Sequence, residues 1–139
     1  MSKTSRVVHT ARTRTKGGRE YGASRSSDGR LDIRFAIPDS DRIGTSPEHL
    51  FAAAWSACFE SAIELAAQRR KVSLPAGVDI EAEVDLNAGG EGLFLSARFN
   101  ISLSGVDREV AQALINEAHK TCPYSKATSG NIHVKINLI

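Results

Sequence analysis

Apolar and polar residues alternate most cleanly between Val78 and Leu86. Val78, Ile80, Ala82, Val84 and Leu86 fall on one side of an extended chain, and Asp79, Glu81, Glu83 and Asp85 fall on the other. A period of two predicts a strand with one buried and one acidic face. Ala88-Gly89-Gly90-Glu91-Gly92 then predicts a turn, after which Leu93, Leu95, Ala97, Phe99, Ile101 and Leu103 resume the alternation, so the two strands form a long hairpin. Leu31–Ile37 alternates in the same way, and Ile132, Val134, Ile136 and Leu138 share one face of a closing strand over Asn131–Ile139. Residues 6–15 are rich in β-branched side chains and predict a further strand, with Thr10, Arg12 and Arg14 on one face. A short strand around Tyr21–Ser24 follows Gly17-Gly18-Arg19, and Asp28-Gly29 reads as a hairpin turn.

Two segments break this rhythm. Ser46-Pro47-Glu48 reads as a helix start, with a capping hydroxyl, proline at the first position and a carboxylate near the positive end of the dipole. From Leu50 to Phe59 the helix carries no charge on any face, which predicts burial nearly all round and puts Cys58 deep in the fold. Ala52, Ala53, Ala54, Ser56 and Ala57 are small enough to admit another backbone, and the helix ends near Arg69-Arg70-Lys71. A second helix is capped by Asp107, runs through Val110, Ala111, Leu114 and Ala118, and stops at Cys122-Pro123. The order β-β-β-α-β-β-α-β predicts an α+β fold with antiparallel sheets around a long central helix, residues 1–139 forming one domain.

Charge adds one feature. Residues 1–34 hold nine of the 18 basic residues but only three acids, Glu20, Asp28 and Asp32. These cations are dispersed along the chain without interleaved aromatic residues, so no nucleic-acid partner is expected. A simpler reading pairs them with the acidic face Asp79–Asp85 across a sheet or dimer contact. Two cysteines make no disulfide scaffold. The first residues show no apolar leader, and the uncharged run Leu50–Phe59 is half of a membrane span, so a soluble cytoplasmic protein with reduced thiols and no membrane partner is expected.

The chemistry then turns on Cys58. A thiol becomes a nucleophile when a cation or a helix N-terminus stabilises its thiolate, and Cys58 lies about three turns into its helix, beyond the reach of the dipole. Arg19, preceded by two glycines, is the candidate cation, and Glu48 is the carboxylate that could hold its guanidinium. Ten residues of straight helix, roughly 15 Å, separate Glu48 from Cys58. An arginine held by Glu48 would therefore serve the Cys58 of a second subunit, which predicts an active site at a homodimer interface. Cys122, at a helix end, is a candidate second thiol. Taken singly, each cysteine is more often a small core residue than a nucleophile. His119, Cys122 and His133 form only a loose metal set, and Trp55 reads as core, so neither metal nor cofactor is expected; His9 and His49 read as surface or packing residues.

The segments GGR (17–19), SSDGRLDI (26–33), GTSPEHLFAAAWSACF (44–59) and CPYSKATSGNI (122–132) together resemble the organic hydroperoxide resistance (Ohr) branch of the OsmC/Ohr superfamily. The resemblance runs over essentially the whole chain, and the CPYS-x-AT-x-GN element is specific to that branch. It implies an intertwined α+β homodimer acting as a thiol peroxidase on organic and lipid hydroperoxides. By motif, Cys58 matches the peroxidatic thiol and Cys122 the resolving thiol. Arg19 matches the activating arginine and Glu48 the glutamate that anchors it. The resemblance also implies a dithiol reductant such as a protein-bound lipoyl group. Leu50, Phe51, Phe59 and Tyr124 are candidate apolar walls favouring organic over hydrogen peroxide. The chain departs from the family pattern by one extra residue after Arg19 and by Lys126 and Ser129 where asparagine and arginine are frequent. Two other readings are a non-catalytic redox-responsive binding domain and an OsmC-type peroxidase of broader specificity; steady-state turnover separates the first from an enzyme.

Overall fold

The computed structural model describes residues 4–139, which fall into two compact units, one ending at Pro47 and the other comprising Glu48–Ile139. The first unit is built on a three-stranded antiparallel sheet in the order β1 (Thr13–Lys16), β2 (Ala23–Ser26), β3 (Asp32–Arg34). The strand expected over residues 6–15 forms only from Thr13 onward. The strand expected near Tyr21 begins at Ala23, because Gly18–Tyr21 makes a single helical turn, α1. The Asp28-Gly29 turn forms as predicted: Gly29 takes φ 75°, its N–H donates to Ser26 O at 3.0 Å, and Ser26 Oγ donates to Asp28 at 2.6 Å. Beyond β3, Phe35 pairs with Thr45 in an isolated parallel bridge.

In the second unit the long helix α2 (Pro47–Arg69) and helix α3 (Arg108–Thr121) bury side chains in one core with the sheet β4 (Asp79–Gly89), β5 (Gly92–Ser102), β6 (His133–Leu138). α2 contributes Trp55, Phe59, Ile63, Ala66 and Ala67, a stripe at helical spacing, and α3 contributes Ala111, Leu114, Ile115 and Ala118. Phe99 of β5 receives two of the aromatic rings of α2 edge-on, Trp55 at 4.9 Å and Phe59 at 5.6 Å between centroids. The expectation that α2 is buried nearly all round is not met: Ala53 and Ala57 are exposed, and Ala52, Ala54, Ser56 and Cys58 are only partly covered. An uncharged alanine surface can face a partner as readily as a core, and composition does not distinguish the two. α2 is also long and apolar enough to cross a membrane, although its large side chains are committed to this core.

The predicted hairpin is present, in register from Asp79↔Ser102 to Gly89↔Gly92. The sheet itself is mixed rather than antiparallel. β6 runs parallel to β5, from Ser96↔His133 to Ile101↔Leu138, because the chain returns through α3 and a second short helix, α4 (Pro123–Thr128), before re-entering the sheet. α2 ends where the three cations were read, with Lys71 left-handed at φ 56° and Val72 N–H closing onto Ala67 O at 2.9 Å. Arg70 and Arg69 then reach Glu117 of α3 at 3.2 and 4.0 Å.

Candidate active site

Cys58 and Cys122, 64 residues apart in sequence, meet with their sulfurs 3.3 Å apart, both as free thiols. Their environments reverse the expectation: Cys58 is partly exposed, whereas Cys122 is fully buried in the core. Cys122 holds its place as the junction of two helices. Its backbone leaves the α region (φ −62°, ψ 122°) ahead of Pro123, which ends α3 and starts α4. Burial pushes the pKa of the Cys58 thiol up, and the hydrogen-bonded Cys122 adds to the rise. One group acts the other way, the backbone N–H of Tyr124, which favours the thiolate by hydrogen bonding to it. Sequence reasoning missed this donor because it belongs to the main chain; the only signal is the Cys-Pro-x step that turns α4 back toward α2.

A buried hydrogen bond joins α2 to α4 next to Tyr124. Trp55 Nε1 of α2 donates to Ser125 Oγ of α4 at 3.1 Å, and Thr128 Oγ1 donates to Tyr124 O at 3.0 Å. Ser125→Ala strands the indole N–H in the core and is expected to lower unfolding free energy by about 1–3 kcal/mol in chemical denaturation. Trp55→Phe combined with Ser125→Ala should then cost less than the sum of the two single changes. Strict additivity would show that the hydrogen bond contributes nothing.

Arg19 is exposed and lies within α1, between β1 and β2 of the first unit. Gly17 enters that turn at φ 97°, a conformation that suits glycine. Gly22 closes it, with its N–H donating to Gly18 O at 2.9 Å. A Cβ on Gly22 would lie 2.2 Å from Gly18 O and 2.7 Å from Lys16 O, both main-chain atoms that cannot step aside. The Gly22 carbonyl is braced in turn by Phe35 N–H at 2.9 Å and by the Arg42 guanidinium at 3.2 Å. Gly22→Ala is therefore expected to unseat the turn and to cost about 1–3 kcal/mol or more in thermal denaturation; an unchanged melting temperature would contradict this packing.

Glu48 is half-buried in the first turn of α2, which is continuous from Pro47 to Arg69, so the roughly 15 Å rise between Glu48 and Cys58 stands. Of the apolar walls, Leu50 and Phe51 are half-buried and Tyr124 is exposed, but Phe59 is fully buried against Phe99 and His119 and belongs to the core. His119 packs on Phe59 with a buried, unpartnered Nδ1, whereas His133 is exposed; among the described residues no three His, Cys, Asp or Glu side chains gather to hold a metal ion. The acidic face of β4 finds a partner the sequence reading overlooked. Arg98, directly across on β5, bonds Glu83 at 3.3 Å and Asp85 at 3.1 Å, holding the Asp85 carboxyl below its usual range. Lys126 and Ser129 are both exposed, at the end of α4.

Residues 38–137 match the family model of OsmC-like proteins. The organic hydroperoxide resistance protein of Xanthomonas axonopodis pv. citri is 39% identical over 144 residues, spanning 99% of each chain. OhrB of Bacillus subtilis is 36% identical over 135 residues, covering 95% of this chain and 98% of its own. The crystal structure of the B. subtilis OhrB superposes with a TM-score of 0.90 over 96% of this chain and 100% of that one, at 38% identity. An organic hydroperoxide resistance protein from Elizabethkingia anophelis gives 0.89 at 34% identity, with 96% and 98% coverage. The sequence matches and the superposed folds agree: the chain belongs to the OsmC-like family, in its organic hydroperoxide resistance branch.

Proposed function

We propose that this protein is a thiol-dependent peroxidase that reduces organic hydroperoxides to alcohols and so protects the cell against them. One observation carries the reading: a partly exposed sulfur, Cys58, stands 3.3 Å from a buried one, Cys122. The first can meet a peroxide, and the second is sheltered until the first is oxidised. The names of the relatives supply the substrate class. The Cys58 thiolate attacks the outer peroxide oxygen, the O–O bond breaks, and the alkoxide leaves as the alcohol after taking a proton. Cys58 is left as a sulfenic acid. Cys122 then attacks that sulfur, water departs with the sulfenic oxygen, and a disulfide forms. A dithiol, for which a protein-bound lipoyl group is the natural candidate, reduces it by two exchange steps and is itself oxidised.

The environment of Cys58 within its own unit raises the thiol pKa, so ionisation requires a cation from elsewhere. Arg19, anchored by Glu48, supplies it to the Cys58 of a second copy. The open alanine face of α2 provides the surface on which the two copies meet in a homodimer. Arg19 also stabilises the charge developing on the leaving oxygen. Leu50, Phe51 and Tyr124 form the apolar approach that favours organic over hydrogen peroxide. Reduced thiols of this kind suit the cytoplasm.

Steady-state turnover tests the assignment. With cumene hydroperoxide and dihydrolipoamide in excess, many equivalents of peroxide should be consumed per chain, faster than with hydrogen peroxide. Consumption that stops after one equivalent would identify a redox-responsive binding domain, and equal rates on the two peroxides would point to the broader OsmC type.

A further inference from the structure

We infer that one face of the β1–β2–β3 sheet is a docking surface for an anionic lipid bilayer. Directly paired residues of an antiparallel sheet point to the same side, as do residues two apart along one strand. Arg14 pairs with Arg25, which pairs with Asp32; Lys16 pairs with Ala23, which pairs with Arg34. Ser27 N–H donates to Arg12 O at 3.0 Å, extending the ladder so that Arg12 falls on the side of Arg14. One face therefore carries five cations, Arg12, Arg14, Lys16, Arg25 and Arg34, against the single acid Asp32. The opposite face carries Thr13, Thr15, Ser24, Ser26 and Ile33 and no charge. Cations that are dispersed in the sequence are thus gathered by register; the expectation of no membrane partner rested on the lack of an apolar leader or span, and a charged surface that docks on a bilayer needs neither.

All five cations are exposed. Asp32 reaches only Arg25, at 3.3 Å, and among the described residues no carboxylate lies within ion-pair distance of Arg12, Arg14, Lys16 or Arg34. Arg14 and Arg25 face each other directly, a like-charge cross-strand pair that destabilises the sheet until an anion lies over it. Two shallow hollows open there, of about 550 Å³ beside Arg12, Arg14, Lys16 and Arg25 and about 690 Å³ beside Arg25 and Arg34. The second is rimmed by Ile43, which is 90% exposed.

This combination selects among anionic partners. Guanidinium groups match phosphate oxygens in paired hydrogen bonds. A bilayer of anionic phospholipids offers such groups across a plane, which a short flat sheet can meet with several cations at once. An apolar side chain held out at the rim can enter the headgroup boundary. The face bears no aromatic side chain on which nucleic-acid bases could stack. An acidic protein would give Ile43 no comparable role. Docking of this kind would bring the protein to the layer in which acyl-chain hydroperoxides arise, but the inference stands on the sheet alone.

Vesicle co-sedimentation of the full-length protein tests it, comparing phosphatidylcholine vesicles with vesicles in which a third of the lipid is phosphatidylglycerol. Binding should require phosphatidylglycerol and disappear at high salt. Each cation near such a surface is worth about fivefold in affinity, so Arg14→Ser, Lys16→Ser and Arg34→Ser combined should weaken binding roughly a hundredfold. Arg14→Lys with Arg34→Lys should retain it, which separates charge from misfolding, and Ile43→Ser should weaken it further. Turnover of a water-soluble hydroperoxide should be unchanged in every variant, so failure of docking and failure of the peroxidase reading are read separately. Equal binding to both vesicle types, no binding to either, an unaffected triple variant, or tighter binding to duplex DNA than to the anionic vesicles at the same salt would each overturn the assignment.

Discussion

Replacing Cys58 by serine is expected to abolish hydroperoxide turnover, lowering kcat/KM by a factor on the order of 10⁴ or more, since a hydroxyl at neutral pH has neither the charge nor the polarisability of a thiolate. Cys122→Ser should behave differently. The first oxidation of Cys58 should proceed at close to the normal rate, because Cys122 enters only afterwards. Turnover with a dithiol should then fail, and the sulfenic acid, lacking a partner at 3.3 Å, should advance to the sulfinic acid under excess peroxide, adding the mass of two oxygens. Mass spectrometry of both variants after one peroxide addition distinguishes the two thiols. A Cys58→Ser protein that consumed cumene hydroperoxide at the wild-type rate would end the peroxidase reading.

Arg19→Ala is expected to lower kcat/KM by about 10²–10³, the usual cost of removing a donor that stabilises charge in a transition state. Its pH dependence is the sharper readout. Within its unit the Cys58 pKa is raised, first by burial and then by Cys122, against the Tyr124 amide alone. Without the guanidinium the thiol should therefore stay protonated at neutral pH. Its reaction rate should climb about tenfold for each pH unit until the raised pKa is passed, since only the thiolate reacts. The wild type should be nearly flat over the same interval. Arg19→Lys should recover part of the rate, because the charge returns without the planar guanidinium fork.

The elements that could be read from the sequence are those with a long repeat: the alternation of Val78–Leu86, its partner strand to Leu103, and the helical spacing of Val110–Ala118. α1 and α4, of four and six residues, are too short to show a period. The parallel sense of β6 leaves no mark either, because Ile132, Val134, Ile136 and Leu138 alternate identically in either direction. The error over α2 has a physical cause: alanine and serine are compatible with a core, with an open surface and with a helix–helix contact, so an uncharged run fixes only what the helix avoids. At the site, spacing and motif singled out two cysteines, and the fold brings their sulfurs within 3.3 Å. They did not reveal that the better-buried sulfur is Cys122, nor that the main chain at Tyr124 and the Trp55–Ser125 bond support Cys58. Arg42 and Arg98 were missed for a related reason, since each acts through a neighbour that is close only after folding.

The central claim is that Cys58 is ionised at neutral pH because Arg19 holds its charge. The direct measurement is ultraviolet titration of thiolate absorbance in Cys122→Ser and in Cys122→Ser with Arg19→Ala, both reduced and at the wild-type oligomeric state. The account predicts a Cys58 pKa below neutrality in the first and well above it in the second. A Cys58 that stays protonated at neutral pH with Arg19 in place, or that titrates at the same pH in both proteins, would contradict it.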